Sequence, residues 1–252
     1  MHTKALLTKM FKTLGANQDV NRTTVMNASE PAATQTAHAV RTTDRTVTAI
    51  PPQDMDFTRA GIASPKRERT YLLIDISGSM KDRYDGTTTK IEAAGLAAQT
   101  FVLEKYGIDQ TDLVGVIIFD HNADILMPPQ PLDTCKPELL KAVRNLSIRG
   151  GTDLGNAMQT AVSALSSKIA GVTDRIVLLT DGEGGDPRIA AESFKQSGGI
   201  VDCIGIGSKP SCVNEKLLRQ TASVVDGQIR YTFVSDMQML NTTFTRLSAK
   251  TQ

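Results

Sequence analysis

Two runs of this chain are apolar at nearly every position: Leu113-Val-Gly-Val-Ile-Ile-Phe119 and Ile176-Val-Leu-Leu179. A strand with one wet face alternates polar and apolar residues. A strand that does not alternate must be covered on both faces, and helices do the covering. The sequence around these runs supplies them. Strand-like segments at Tyr71–Ile76, Leu113–Phe119, Arg175–Thr180, Ile200–Ile206 and Gln228–Phe233 are separated or followed by helical patterns at 88–106, 137–147, 153–169, 187–198, 213–224 and 236–249. Such alternation predicts an α/β fold, a doubly wound and mostly parallel central sheet with helices on both faces. Ala123–Met127 follows Phe119 too closely for a helical crossover. It is expected to be a short antiparallel edge strand, stopped by Pro128-Pro129. The last helix places Met237, Leu240, Phe244 and Leu247 on one face, which reads as a core stripe.

The first 66 residues differ in kind. Residues 17–66 are rich in Thr, Ala, Asn, Gln and Pro and show no sustained periodicity, so they read as a flexible tail. Within residues 3–14, Leu6, Leu7, Met10, Phe11 and Leu14 fall at helical spacing among Lys4, Lys9 and Lys12. A short amphipathic helix there could touch a membrane surface or a partner, although a helix of that length is marginal by itself. Residues 67–250 form the expected folded domain. About 185 residues are enough to bury roughly 70% of the extended surface in one core.

Charge and composition narrow the function. Residues 1–69 carry 10 Lys+Arg against 6 Asp+Glu, and the remainder 18 against 21, for a net charge of +1. That balance offers no electrostatic case for nucleic acid. No apolar run reaches membrane-spanning length. Ala5-Leu6-Leu7 is interrupted at once by Thr8 and Lys9, so no secretory core is visible. The three cysteines, Cys135, Cys203 and Cys212, are odd in number and lack metal-ligand spacing; Cys203 sits in an apolar run and reads as a small core residue. A cytoplasmic location is expected.

The chemistry gathers where apolar runs end. Tyr71–Ile76 runs into Asp75-x-Ser77-x-Ser79, placing a carboxylate and two hydroxyls at alternate positions. Thr152 stands in Arg149-Gly-Gly-Thr-Asp-Leu154, just before a helix, and Asp181 ends a strand in Leu178-Leu-Thr-Asp-Gly182. In a doubly wound sheet, ligands bind outside the carboxyl ends of the strands, where all three segments should meet. Hard oxygens of this kind suit Mg²⁺, with Mn²⁺ or Ca²⁺ as alternatives.

Asp75, Ser77, Ser79, Thr152 and Asp181 together resemble the metal-ion-dependent adhesion site of von Willebrand factor type A (VWA) domains. The likeness covers about residues 68–250. Gly150-Gly151-Thr152-Asp153 and Thr180-Asp181-Gly182-Glu183 resemble intracellular bacterial members most. The resemblance implies that Ser77, Ser79 and Thr152 touch the cation, while Asp75 and Asp181 act through bound water and the hydroxyls. It implies an open coordination position for an Asp or Glu of a partner protein. The corresponding function is a Mg²⁺-dependent protein-binding module, an adaptor or regulator and not an enzyme. Intracellular relatives commonly partner AAA+ ATPases, or kinase and phosphatase modules of stress responses. In better-known members the last helix shifts when the site is filled, so 236–249 is the expected place for coupling.

Catalysis is the competing reading. A Mg²⁺-dependent phosphohydrolase on a similar sheet would need a second Asp two residues after its nucleophile, and Ser77 stands there instead. No histidine lies in a plausible partner segment for a serine nucleophile, and Gly-x-Ser-x-Gly is absent. Around the site, Lys81, Asp82, Arg83, Tyr84 and Asp85 are expected to border the metal and set partner specificity. Asp153 reads as a helix cap, Glu183 and Asp186 as loop carboxylates near the metal face, and His121 as a structural residue. Gly205 and Gly207 read as strand-end glycines.

Overall fold

A computed structural model describes residues 66–250. The reading of 1–66 as a tail with a short helix at 3–14 falls, Lys66 apart, outside the described residues. In chain order the elements are β1 (Arg67–Asp75), α1 (Lys90–Ile108), β2 (Leu113–Phe119), β3 (Ala123–Pro131), α2 (Leu132–Arg144), α3 (Leu154–Ala164), β4 (Val172–Thr180), α4 (Arg188–Gln196), β5 (Ile200–Ile206), α5 (Glu215–Thr221), β6 (Val224–Val225), β7 (Gln228–Ile229), β8 (Tyr231–Val234) and α6 (Met237–Ser248). Short 3₁₀ turns occupy Gly78–Lys81 and Pro210–Cys212.

The main sheet has the order β3-β2-β1-β4-β5-β8. Every neighbouring pair is parallel except β2–β3. The chain builds outward from β1 through β2 to β3, then returns to the other side of β1 with β4. The strand order therefore reverses between β1 and β4, and the crevice at their carboxyl ends is the expected ligand position.

Successive residues of β1 feed opposite cores, as the period of a strand demands. Leu72 and Ile74 pack on the face covered by α1, α2 and α6, with Phe101 and Phe244. Those two rings meet edge to face at 6.3 Å. Tyr71 and Leu73 pack on the face covered by α3, α4 and α5, with Met158, Phe194 and Leu218. Burial on both sides is the reason β2 and β4 do not alternate. Cys203 is a buried core residue on β5.

Three departures from the sequence expectation have physical causes. The edge strand does not stop at Pro128-Pro129 but continues to Pro131, pairing through register shifts beside Val114, Val116 and Ile117. A proline without an N–H costs little on an edge or at a bulge. Helix α2 begins at Leu132, five residues before the expected 137, and carries Pro137 inside it. The strand expected at Gln228–Phe233 is divided: β6 and β7 form a small hairpin, and β8 alone joins the sheet. Asp226 (φ 50°) and Gly227 (φ 76°) make the tight turn between β6 and β7, a geometry two-residue hairpins require.

At the amino ends of the strands lies a buried ion network that no sequence motif announced. Lys105 of α1 contacts Glu68 at 2.5 Å and Asp112 at 3.0 Å, all three side chains fully buried. Arg175 pairs with Asp202 at 2.7 Å. Both cations also hold the end of α6: Arg175 donates to the Leu247 carbonyl at 2.7 Å and Lys105 to that of Ser248 at 3.3 Å.

Candidate metal centre

Asp75 is the last residue of β1 and is buried. Its Oδ1 accepts the Ser77 backbone N–H at 2.8 Å, which turns the chain out of the strand. Its Oδ2 accepts the Thr180 hydroxyl at 2.6 Å, across the β1–β4 crevice. Ser77 is buried, Ser79 is half-exposed, and their hydroxyls lie 3.2 Å apart. Met80, fully buried, anchors the 3₁₀ turn that carries Ser79.

Backbone hydrogen bonds bring the second loop to the first. The Gly78 N–H donates to the Gly150 carbonyl at 2.8 Å, and the Arg149 N–H to the Ile76 carbonyl at 2.7 Å. Asp120, at the end of β2, steadies the same loop by accepting from the Gly150 N–H at 3.4 Å, while its carbonyl accepts the Asp153 N–H at 2.7 Å. Thr152 is thus held, half-exposed, above the crevice.

The third loop closes the set. The Leu154 N–H donates to the Gly184 carbonyl at 3.0 Å. Gly184 has φ 89°, and a Cβ there would lie 2.3 Å from the Thr152 carbonyl oxygen, so a side chain would push the loops apart. Gly182 (φ 84°) makes the turn after Asp181, and its N–H donates to the Thr180 hydroxyl at 2.9 Å. Asp181 is buried; its Oδ2 accepts from Lys90 Nζ at 3.0 Å, and its Oδ1 is buried without a hydrogen-bond partner.

Electrostatically the centre is short of positive charge. Burial pushes the Asp75 carboxyl up to about 6, against the hydrogen bonds from Ser77 and Thr180, and the nearby Asp181 adds to the rise. Of these two buried carboxylates, Asp181 meets the Lys90 ammonium and Asp75 meets hydroxyl and N–H donors. Among the described residues no cluster of three or more His, Cys, Asp and Glu could hold a metal. A cation here would accordingly take hydroxyl oxygens and water beside the two aspartates. The orphaned Asp181 Oδ1 and the hydroxyl set fit a hard divalent cation.

Neighbouring residues sort themselves by contact. Asp153 caps α3, accepting the Asn156 N–H at 3.0 Å. Lys81, Asp82, Arg83 and Asp85 are exposed beside the Ser79 turn. Tyr84 departs from the expectation for that loop. It is buried, and its hydroxyl donates to the Asp236 carbonyl at 2.8 Å, at the cap of α6. An apolar ring with one buried partner cannot also face a ligand. His121 is 64% exposed in its side chain and sits 3.4 Å from Asp120, at the rim and not in the core. Glu183 and Asp186 are exposed, and Asp186 pairs with Arg188. Gly205 lies within β5, where a Cβ would approach Val213 and the Tyr231 hydroxyl within 3 Å.

Three contributors escaped the sequence reading. Thr180 falls in the strand predicted at Arg175–Thr180, Lys90 in the helix predicted at 88–106, and Asp120 just past the strand predicted at Leu113–Phe119. Only Thr180 left a signal, a hydroxyl in an otherwise apolar run immediately before Asp181.

Residues 70–183 match the family described as von Willebrand factor type A domain, and the sheet order, with oxygen-bearing loops at its reversal, agrees with that match. The chain is also similar, at 31% identity over 187 residues, to calcium-activated chloride channel regulator 3A-1 of Mus musculus, an alignment covering 73% of this chain and 19% of that protein. It is 28% identical to calcium-activated chloride channel regulator 1 of Bos taurus, over 79% of this chain and 21% of the relative. The chain thus spans about a fifth of the length of these curated relatives. Among solved structures, a von Willebrand factor type A protein from Catenulispora acidiphila superposes with a TM-score of 0.60 at 23% identity, over 73% of this chain and 42% of that one. At that identity the likeness speaks for the fold alone. VWA domains are protein-interaction modules in varied settings. No helix among the described residues is long and apolar enough to cross a membrane.

Proposed function

We propose that the three loops hold a divalent cation, Mg²⁺ in the first instance, and present it to a carboxylate of a partner protein. Ser77, Ser79 and Thr152 would supply hydroxyl oxygens, and Asp75 and Asp181 would orient bound water and those hydroxyls. The observation that carries this reading is the buried, unpartnered Asp181 Oδ1 one strand away from the buried Asp75. A cation bound mainly by neutral oxygens keeps most of its charge and so attracts an acidic side chain strongly. The hydroxyls that meet the Asp75 carboxylate, those of Ser77 and Thr180, are buried and out of a substrate's reach, which favours recognition over catalysis. Free Cys135, Cys203 and Cys212 are compatible with a reducing cytoplasm. The partner class implied by the family resemblance is an AAA+ ATPase or a kinase or phosphatase module, for which this chain would be an adaptor.

The test is a Mg²⁺ titration by calorimetry and by melting temperature, with wild type and Asp75→Ala, followed by partner capture in Mg²⁺ or EDTA. Binding stabilises in proportion to ligand excess, by about 2.7 kcal/mol at one hundred times Kd. Wild type should show that rise and lose its partner in EDTA, whereas Asp75→Ala should show no rise and capture no partner with or without Mg²⁺. Capture that is indifferent to EDTA would refute the proposal.

A further inference from the structure

Lys90 is the first residue of α1, a position where local physics favours an acid. The helix amino terminus carries partial positive charge, and a lysine there adds like charge to it. Lys90 is also buried, its side chain 9% exposed, so the charge cannot be left to water. Its place is fixed from three sides. Thr89 caps the helix by accepting the Glu92 N–H, Glu92 accepts the Thr89 N–H at 3.0 Å in return, and the Lys90 N–H donates to the Asp82 carbonyl at 3.0 Å. A conflict between local preference and global placement marks a site under functional demand.

What Lys90 meets is Asp181. Nζ lies 3.0 Å from Oδ2, and the other oxygen of that carboxylate is the buried orphan. The ammonium thus neutralises one face of Asp181 and orients the second. The charges of Asp75, Asp181 and Lys90 sum to −1, where the two carboxylates alone would carry −2; Asp120, also buried, spends its oxygens on the Asn122 and Gly150 N–H groups and is left out of the sum.

We infer that Lys90 is a positioning residue that weakens the centre's hold on its cation and thereby leaves the cation dependent on a carboxylate from outside. This rests on the metal reading above and deepens it. A site of charge −2 would neutralise a divalent cation by itself and have little further need of an acidic ligand. A site of charge −1 leaves a surplus that a partner's Asp or Glu completes. Lys90 on this view sets the division of affinity between ion and partner.

Coulomb's law gives the sign and scale. Removing a unit positive charge one carboxylate away from a divalent cation should tighten ion binding by about tenfold or more, even at a high effective dielectric. The test uses the full chain with Lys90→Gln, Lys90→Met and Lys90→Arg. Glutamine keeps a hydrogen-bond donor for Asp181 and removes the charge, so it guards against misfolding of the methionine variant. Mg²⁺ affinity is read by calorimetry, and melting temperature is read in EDTA. Lys90→Gln should bind Mg²⁺ at least tenfold more tightly than wild type, and Lys90→Met, where folded, likewise. Lys90→Arg should stay within about threefold of wild type. A role in stability alone would lower the melting temperature in EDTA without tightening Mg²⁺. Lys90→Gln binding Mg²⁺ as wild type does, or more weakly, overturns this inference while sparing the metal site. Absence of Mg²⁺ binding in wild type overturns both.

Discussion

Asp75 shows how a single residue can be costly to the metal-free fold and, on the proposed function, useful to the metal-bound one. Its ordinary value is near 3.8, and burial raises it to about 6 in the folded chain. Between those two values the folded state holds a proton that the unfolded state has released. Stability of the metal-free protein therefore falls as pH rises from about 4 to about 6, and the loss persists above that. Asp75→Asn removes the titration while keeping an acceptor for the Ser77 N–H. In EDTA at pH 7.5 it should be more stable than wild type, by about 1–3 kcal/mol on the scale of two pKa units. In Mg²⁺ the order should invert, because the variant cannot use the ion. Melting curves of both proteins between pH 4.5 and 8 decide this, and a destabilised Asn variant in EDTA would show that the carboxylate is satisfied without metal. At this scale the sequence was informative about oxygens and silent about their partners. Ser77 and Ser79 lie two and four residues from Asp75. Thr180 reaches it only because β1 and β4 pair in one register, with Ile74 opposite Leu179.

Two helices touch the candidate centre or its loops, α1 through Lys90 and α6 through its cap. Both amino termini sit near the metal loops, and Tyr84 ties the loop after Ser79 to the cap of α6 through the Asp236 carbonyl. Tyr84→Phe keeps the buried ring and deletes one hydrogen bond. It should cost about 1 kcal/mol and raise amide exchange in the first turn of α6, leaving the centre of α6 protected. Exchange unchanged at Met237–Leu240 would mean that the loop and the helix are independent. The elements themselves were readable where periodicity was strong: β2 and β5 have the predicted bounds, and α6 is shifted by one residue at each end. Legibility failed where proline was taken as punctuation. Pro128, Pro129 and Pro137 all lie inside elements; an edge strand tolerates the missing donors of the first two where a central strand would not, and nothing in the structure explains the third.

Across the whole molecule, the sheet separates two kinds of polar chemistry by about 23 Å, the length of seven strand residues from Glu68 to Asp75. One end keeps its charges in ion pairs, although Arg175 Nη2 has no hydrogen-bond partner there, and the other leaves a carboxylate oxygen of Asp181 without one. Lys105→Met would strand Glu68 and Asp112 at the paired end, with Arg175 and Lys250 as their remaining cations. Unfolding in urea should show a loss of about 3 kcal/mol. Mg²⁺ affinity should be unchanged, since the damage lies at the far end, and a large change would show that the ends communicate through the sheet. None of this network was visible in the sequence, because Lys105 and Arg175 look like solvent-facing residues until α1 and β4 are placed. The prolines of β3 have a consequence for how the chain behaves in a crowd. That strand exposes Ile125 and Leu126 along the rim of a large sheet, a combination that invites strands of other copies to add on. Pro128, Pro129 and Pro131 lack N–H groups in the second half of that strand, which shortens the stretch of rim open to edge-to-edge addition.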